Sequence, residues 1–210
     1  MEALRTSIKQ GWERLTASIV TVLAARGVTP NQLSFFGLFV TIVSAPLFAE
    51  GWLSTGAWIF AAGSVIDSFD GALARRTGAA TEAGAFLDST FDRIGEAAAL
   101  AGVAVFLARQ GSDMAVGAVV VALLGGNLTS YVRARAEALG IECSVGWISR
   151  TERVFIMGIL LVVHLPQVMA YTLALATCFT AGQRILHVRR ALLRVDQKSR
   201  AGSLSPRKAL

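Results

Sequence analysis

Apolar runs, most of them reaching the ~20 residues needed to cross a bilayer and the fifth reaching it with some extension, recur from residue 31 to residue 190 with short breaks between them. The runs cover 31–50, 54–76, 81–109, 113–139, 152–165 and 167–190. The breaks carry turn chemistry: Gly51 with Trp52, Thr77 with Gly78, Gly111 with Ser112, the stretch GIECSVGWISR at 140–150, and Pro166. This pattern predicts an all-α integral membrane protein with six transmembrane helices. Ahead of them, residues 1–28 place charges at Glu2, Arg5, Lys9, Glu13, Arg14 and Arg26 between apolar residues at helical spacing. That is the pattern of an amphipathic helix lying in the membrane interface. It lacks the unbroken apolar stretch and small-residue cleavage site of a signal peptide, so it is expected to stay on the mature chain. The whole chain, 1–210, reads as one domain: an interfacial helix (1–28), a six-helix bundle (29–190) and a basic tail (191–210). No internal repeat is evident.

Composition agrees, with 54% hydrophobic and only 16% charged residues, against about a quarter charged in soluble domains. Basic residues fall at the span ends in a way that orients the bundle. Of twenty, four lie in the N-terminal segment, two at Arg75 and Arg76, four between Arg133 and Arg153, and eight from Arg184 onward. By the preference of Lys and Arg for the cytoplasmic side, both termini, the turn after Arg76 and the 140–150 loop face the cytoplasm of a multi-pass plasma-membrane protein. The pI near 10.1 points to anionic headgroups or phosphorylated substrates and not to nucleic acid, since the cations flank apolar spans instead of covering a soluble face. The tail, DQKSRAGSLSPRKAL, shows no periodicity and is expected to be disordered or to lie on anionic lipid. Cys143 and Cys178 read as unpaired thiols, and His164 and His187 are too few and scattered for an imidazole metal site.

One stretch breaks the apolar pattern. VIDSFDGALARRTGAATEAGAFLDSTFDR, residues 65–93, places Asp67, Asp70, Asp88 and Asp92 in two adjoining spans. A single Asp at the centre of a membrane helix is unfavourable by about 2.5 to 3.5 kcal/mol, so four demand a cationic partner. Asp67 and Asp70 are three apart and Asp88 and Asp92 four apart, which puts each pair on one face of its helix. The short turn between the helices makes them antiparallel neighbours, so the carboxylates converge near the cytoplasmic end of a hairpin. Oxygen ligands without His or Cys suit Mg²⁺, Mn²⁺ or Ca²⁺. Four of them can hold two ions about 3.5 to 4 Å apart, as in phosphoryl displacement. Gly71 and Gly84 allow close backbone approach. Two other readings exist: pairing of the aspartates with Arg75, Arg76 and Arg93 or capping of helix ends, and a cation or proton relay in a coupled transporter, which would spread carboxylates along a pathway.

The stretch D-x-x-D-G-x-x-A-R, eight residues, G-x-x-x-D-x-x-x-D, formed by Asp67, Asp70, Gly71, Ala74, Arg75, Gly84, Asp88 and Asp92, resembles the signature of the CDP-alcohol phosphotransferases without departure. The resemblance implies a six-helix membrane enzyme, usually a homodimer, that transfers a phosphatidyl-type group from a CDP-linked lipid to an alcohol and releases CMP. It implies two Mg²⁺ ions, with Mn²⁺ as a substitute, held by Asp67, Asp70, Asp88 and Asp92. It makes Asp92 the general base and gives Asn31, Gly71, Arg75 and Thr81 to the CDP-lipid site. Thr81 equally suits a plain helix N-cap, and Thr29 with Pro30 a helix start.

SYVRARAEALG (130–140), ISRTERVFI (148–156) and QRILHV (183–188) are similar to segments of bacterial phosphatidylinositol phosphate synthases, so the resemblance runs from about Thr29 to His187. In that branch the positions of Arg133, Arg153 and Arg184 bind the acceptor's phosphate, which implies inositol 1-phosphate as acceptor and CDP-diacylglycerol as donor. Three cations at the cytoplasmic ends of three helices are chemically suited to a doubly charged phosphate. Arg135 and Arg150 are read as ordinary positive-inside residues. Thr151 stands where that branch often has proline, and Arg133 where lysine is also seen. Sister enzymes that accept glycerol 3-phosphate, the phosphatidylglycerophosphate synthases, use a basic pocket too and remain the alternative.

Overall fold

A computed structural model describes residues 17–203, with the side chains of 196 and 198–203 outside the description. Among the described residues every regular element is an α-helix: α1 (residues 17–25), α2 (Pro30–Ala49), α3 (Leu53–Thr77), α4 (Glu82–Arg109), α5 (Asp113–Ala138), α6 (Arg150–Val162) and α7 (Pro166–Ser203). α2 to α7 fall on the six predicted apolar runs, each of them helical. Of the expected interfacial helix, residues 1–16 lie outside the described residues. α1 packs by Val20 against Leu33, Phe69 and Leu73, so it is docked on α2 and α3.

Local chemistry accounts for the boundaries. Thr29 caps α2 by accepting the Gln32 N–H while the Gln32 side chain accepts the Thr29 N–H, and Pro30 sits in the first turn, where its missing donor is harmless. α3 stops at Gly78, whose φ of 66° is open to glycine with little strain, and whose N–H bonds Ala74 O. Thr81 then caps α4 through the Gly84 N–H at 3.0 Å. Ser149 and Glu152 form the capping box of α6, which starts the helix at Arg150, two residues before the expected onset.

The end of α7 departs from expectation. Residues 191–203 continue the helix instead of forming an irregular tail. ALLRVDQKSR consists mostly of strong helix formers, and no proline intervenes before Pro206. Residues 204–210 of the predicted tail lie outside the described residues.

α2 packs against both α3 and α4, α5 against α7, and α3 against α6. One core, built on Phe48, Phe60, Leu100, Val103, Leu107, Met157, Leu161 and Met169, fills the bundle away from the aspartates. The approach of α2 to the α3–α4 hairpin is set by small residues: a Cβ on Gly63 would run into the Thr41 hydroxyl and lie 2.8 Å from Thr41 N, and one on Gly102 would run into the Ala45 carbonyl oxygen. Such close crossings rest on van der Waals packing of backbones. Phe35, Phe36, Phe39, Trp58, Leu124, Leu175 and Phe179 point outward and are exposed. Two helices, α2 and α5, are long and apolar enough to cross a membrane by length and composition.

Candidate active site

Helical spacing and the α3–α4 turn do what the pattern predicts for three of the four aspartates. Asp67 and Asp70 on α3 and Asp88 on α4 each bring a carboxylate oxygen to within 4.8 Å of the others, and Asp67 and Asp70 are buried. α2 joins through Ser34, whose hydroxyl is buried and donates to Asp70 Oδ2. Carboxylates this close repel each other and are unfavourable in a low-dielectric setting without a cation. The donor set is oxygen only, from two rigid helices, which fits a hard divalent ion such as Mg²⁺ or Mn²⁺.

Asp92, one turn beyond Asp88, takes a different partner. Arg150 Nη1 lies 2.5 Å from Asp92 Oδ1 and 3.3 Å from Asp67 Oδ2, so its guanidinium bridges the two helices of the hairpin. The pairing of aspartates with Arg75, Arg76 or Arg93 is not what the structure adopts: Arg93 donates to Ser89 O within its own helix. Nor do the aspartates cap helices, since Thr81 and Gly78 occupy those positions.

Beside the cluster lies a cavity of about 230 Å³ lined by Asn31, Gly71, Arg75 and Thr81, the four residues expected at the nucleotide-lipid side, together with Ser34, Asp70, Gly84 and Asp88. Thr81 serves both as N-cap and as lining. A side chain on Gly71 would come within 3.3 Å of Arg75 Nη1, so the glycine leaves the guanidinium free to turn toward the cavity.

The three arginines expected at the acceptor side come from α5, α6 and α7, and Arg133 and Arg153 each lie within electrostatic range of Arg184. Their partners differ. Arg133 is exposed and pairs with Glu137 at 2.8 Å. Arg153 is only 5% exposed and grips Glu96 through Nε and Nη2, both at 2.7 Å. Arg184 donates to Val145 O at 2.9 Å and Thr129 O at 2.8 Å. Arg153 and Arg184 each use two nitrogens in these bonds, and a guanidinium has five N–H donors, so both keep donors for an anion.

Two residues of this neighbourhood escape a reading of the sequence. Arg150 looks like any positive-inside residue, because its aspartate partners are far away in the chain. Glu96 carries a signal that could have found it: it follows Asp88 and Asp92 at the same four-residue interval and so extends their face of α4.

Comparison with known proteins places this geometry. The CDP-alcohol phosphatidyltransferase family model matches residues 27–182. A Cutibacterium acnes protein named phosphatidylinositol phosphate synthase is 36% identical over 200 residues, covering 87% of this chain and 96% of its own. The crystal structure of Mycobacterium tuberculosis phosphatidylinositol phosphate synthase with CDP-DAG bound superimposes with a TM-score of 0.79 at 32% identity, over 83% of this chain and 94% of that one. The same Mycobacterium enzyme in complex with manganese and citrate gives 0.76 at 33% identity, over 82% and 88% of the two chains. With its signature aspartates gathered at one site and the family model matched across most of its length, the chain belongs to the CDP-alcohol phosphatidyltransferases and is a transferase of phospholipid biosynthesis.

Proposed function

We propose that the protein transfers a phosphatidyl group from CDP-diacylglycerol to inositol 1-phosphate, giving phosphatidylinositol phosphate and CMP. The observation that carries this reading is the convergence of Asp67, Asp70 and Asp88 beside a cavity lined by Asn31, Gly71, Arg75 and Thr81, with Arg133 and Arg153, from two other helices, each within electrostatic range of Arg184. Membership in a transferase family, and carboxylates gathered at one point instead of along a path, leave the transporter alternative without support.

Asp67, Asp70, Asp88 and Asp92 are the residues that would hold two Mg²⁺ ions, or Mn²⁺ in their place, whose charge would neutralise the diphosphate and the charge developing on the leaving group. Arg75 adds a cation beside that diphosphate. Arg133, Arg153 and Arg184 hold the acceptor's phosphate and so aim its hydroxyl, the positioning that lowers the entropic barrier. Asp92 takes the hydroxyl proton as the acceptor oxygen bonds to the lipid-side phosphorus and the bond from that phosphorus to the CMP oxygen breaks. Arg150, in contact with Asp92, holds that carboxylate in place.

The donor has acyl tails and the acceptor is water-soluble, so the reaction belongs at a lipid boundary. The outward-facing Phe35, Phe39, Leu124 and Leu175, and the lengths of α2, α3, α4, α5 and α7, support a multi-pass plasma-membrane bundle of six transmembrane helices in which the 13-residue α6 is the short one, and the distribution of Lys and Arg puts the site and both termini on the cytoplasmic side. By the family pattern the enzyme works as a homodimer. Purified enzyme incubated with CDP-diacylglycerol and, separately, inositol 1-phosphate, glycerol 3-phosphate, free inositol or serine tests the acceptor by CMP release. Inositol 1-phosphate should give the highest rate. A preference for glycerol 3-phosphate would make the protein a phosphatidylglycerophosphate synthase, and one for an unphosphorylated alcohol would refute the arginine pocket.

A further inference from the structure

A second cavity, about 470 Å³ and so roughly twice the size of the first, lies between the 140–149 loop and the cytoplasmic half of α7. The proposed reaction makes no use of it. Arg184 borders the loop wall of this cavity but does not line it: the guanidinium donates to Thr129 O and Val145 O. The loop wall is held firmly: Thr180 Oγ1 accepts the Ile148 N–H at 3.2 Å, Arg184 bonds Val145 O, and His187 Nε2 lies 3.2 Å from Glu142 O. A Cβ on Gly146 would meet Thr180 Cγ2 at 2.7 Å, so loop and helix are in close contact there.

Three properties of the lining define the ligand. Arg190 and Arg194 stand one turn apart on α7 and both line the cavity with His187, and no carboxylate lines it. Among the described residues neither arginine makes an ion pair, so two like charges at i and i+4 face the same space, where one anion can bridge both. Gln183 Oε1, also on the lining, is shielded from solvent and has no hydrogen-bond partner, which calls for a ligand hydroxyl. The rim is apolar and outward-facing: Trp147 is 71% exposed and stacks edge-on with exposed Phe179, ring centroids 5.8 Å apart. Exposed tryptophan beside arginine is the mark of a membrane–water boundary.

We infer that this cavity is a lipid-headgroup site, in which Arg190 and Arg194 bind the phosphate of an anionic phospholipid, Gln183 accepts a bond from a headgroup hydroxyl, and Trp147 and Phe179 flank the acyl chains. The inference rests on the membrane orientation proposed above. A cationic floor with an apolar rim distinguishes a lipid from a free phosphorylated metabolite, which would gain nothing from the aromatic side. Basic pockets at the cytoplasmic ends of membrane helices commonly take anionic headgroups.

Native mass spectrometry of the full-length protein in detergent tests this with three probes: phosphatidylglycerol, phosphatidylcholine and free glycerol 3-phosphate. Phosphatidylglycerol should bind at least tenfold more tightly than phosphatidylcholine. The Arg190→Gln/Arg194→Gln protein should lose at least tenfold in that binding, and Arg189→Gln, on a neighbouring face of α7, should not. Excess glycerol 3-phosphate should fail to displace the lipid. Equal binding of the two lipids, undiminished binding by the double variant, or displacement by glycerol 3-phosphate would each overturn the site. CMP release measured on the same wild-type preparation separates the outcomes: absence of turnover with every acceptor would sink the proposed reaction and leave the lipid result to stand or fall by itself.

Discussion

Replacing Gly63 with alanine should slow the reaction without touching any side chain at the site. The new Cβ would run into the Thr41 hydroxyl, which must turn away, and would lie 2.8 Å from Thr41 N and 3.0 Å from Gly37 O, backbone atoms of α2 that cannot, where ordinary contact begins near 3.4 Å. α2 and α3 must therefore part by about 0.4 to 0.6 Å, the overpacking that destabilises a protein by about 1–3 kcal/mol. Asp67 follows Gly63 by one helical turn, and a Cβ on Gly37 would already lie 3.2 Å from Asp67 N, so the displacement passes directly to the cluster. A misplacement of about 1 Å lowers turnover roughly a hundredfold, so half of that should lower it about tenfold. Gly102→Ala is the control. It drives a Cβ into the Ala45 carbonyl oxygen of α2, a harder backbone clash than the one at Gly63, but ten residues past Asp92, about 15 Å along α4. CMP release per folded molecule, with thermal unfolding in detergent, should show both variants destabilised and only Gly63→Ala slowed. Full turnover in Gly63→Ala, or an equal slowing in Gly102→Ala, would refute the claim that this crossing positions the aspartates.

Asp92→Asn should lower CMP release at least a hundredfold, the usual loss on removing a general base, while CDP-diacylglycerol binding, followed by equilibrium dialysis, survives in part. Glu96→Ala should reduce stability by about 3–5 kcal/mol, because it strands the buried Arg153 guanidinium; denaturant unfolding measures this, and the KM for the acceptor should rise with it. Arg150→Gln should tighten Mn²⁺ binding, measured by electron paramagnetic resonance, because Arg150 Nη1 contacts Asp67 and Asp92 and so competes with a cation there. Unchanged or weaker binding would show that Arg150 does not compete.

The helices and the aspartate hairpin were legible in the sequence because the signals are local. Apolar run length, the Gly78 and Thr81 punctuation and the three- and four-residue aspartate spacings each act within a turn or two of helix. What stayed hidden depends on contacts between distant segments. Arg150 reaches Asp67 across 83 positions, and Arg153 finds Glu96 across 57, so neither partner can be read from neighbouring residues. The extension of α7 through 191–203 was missed for a different reason. Its residues favour a helix, but their mixed charges lack the apolar periodicity by which a packed helix is recognised. The small-residue crossings at Gly63 and Gly102 were likewise invisible, since a glycine in a membrane-like span does not reveal which backbone it lets in.

Everything functional depends on the aspartates of α3 and α4 holding divalent cations. Anomalous scattering from crystals soaked in Mn²⁺ tests this most directly. The expected result is one peak within coordinating distance of Asp67, Asp70 and Asp88 and a second shared with Asp92, with the first lost in Asp70→Asn. Crystals of catalytically active protein that show no peak among these carboxylates at saturating Mn²⁺ would contradict it.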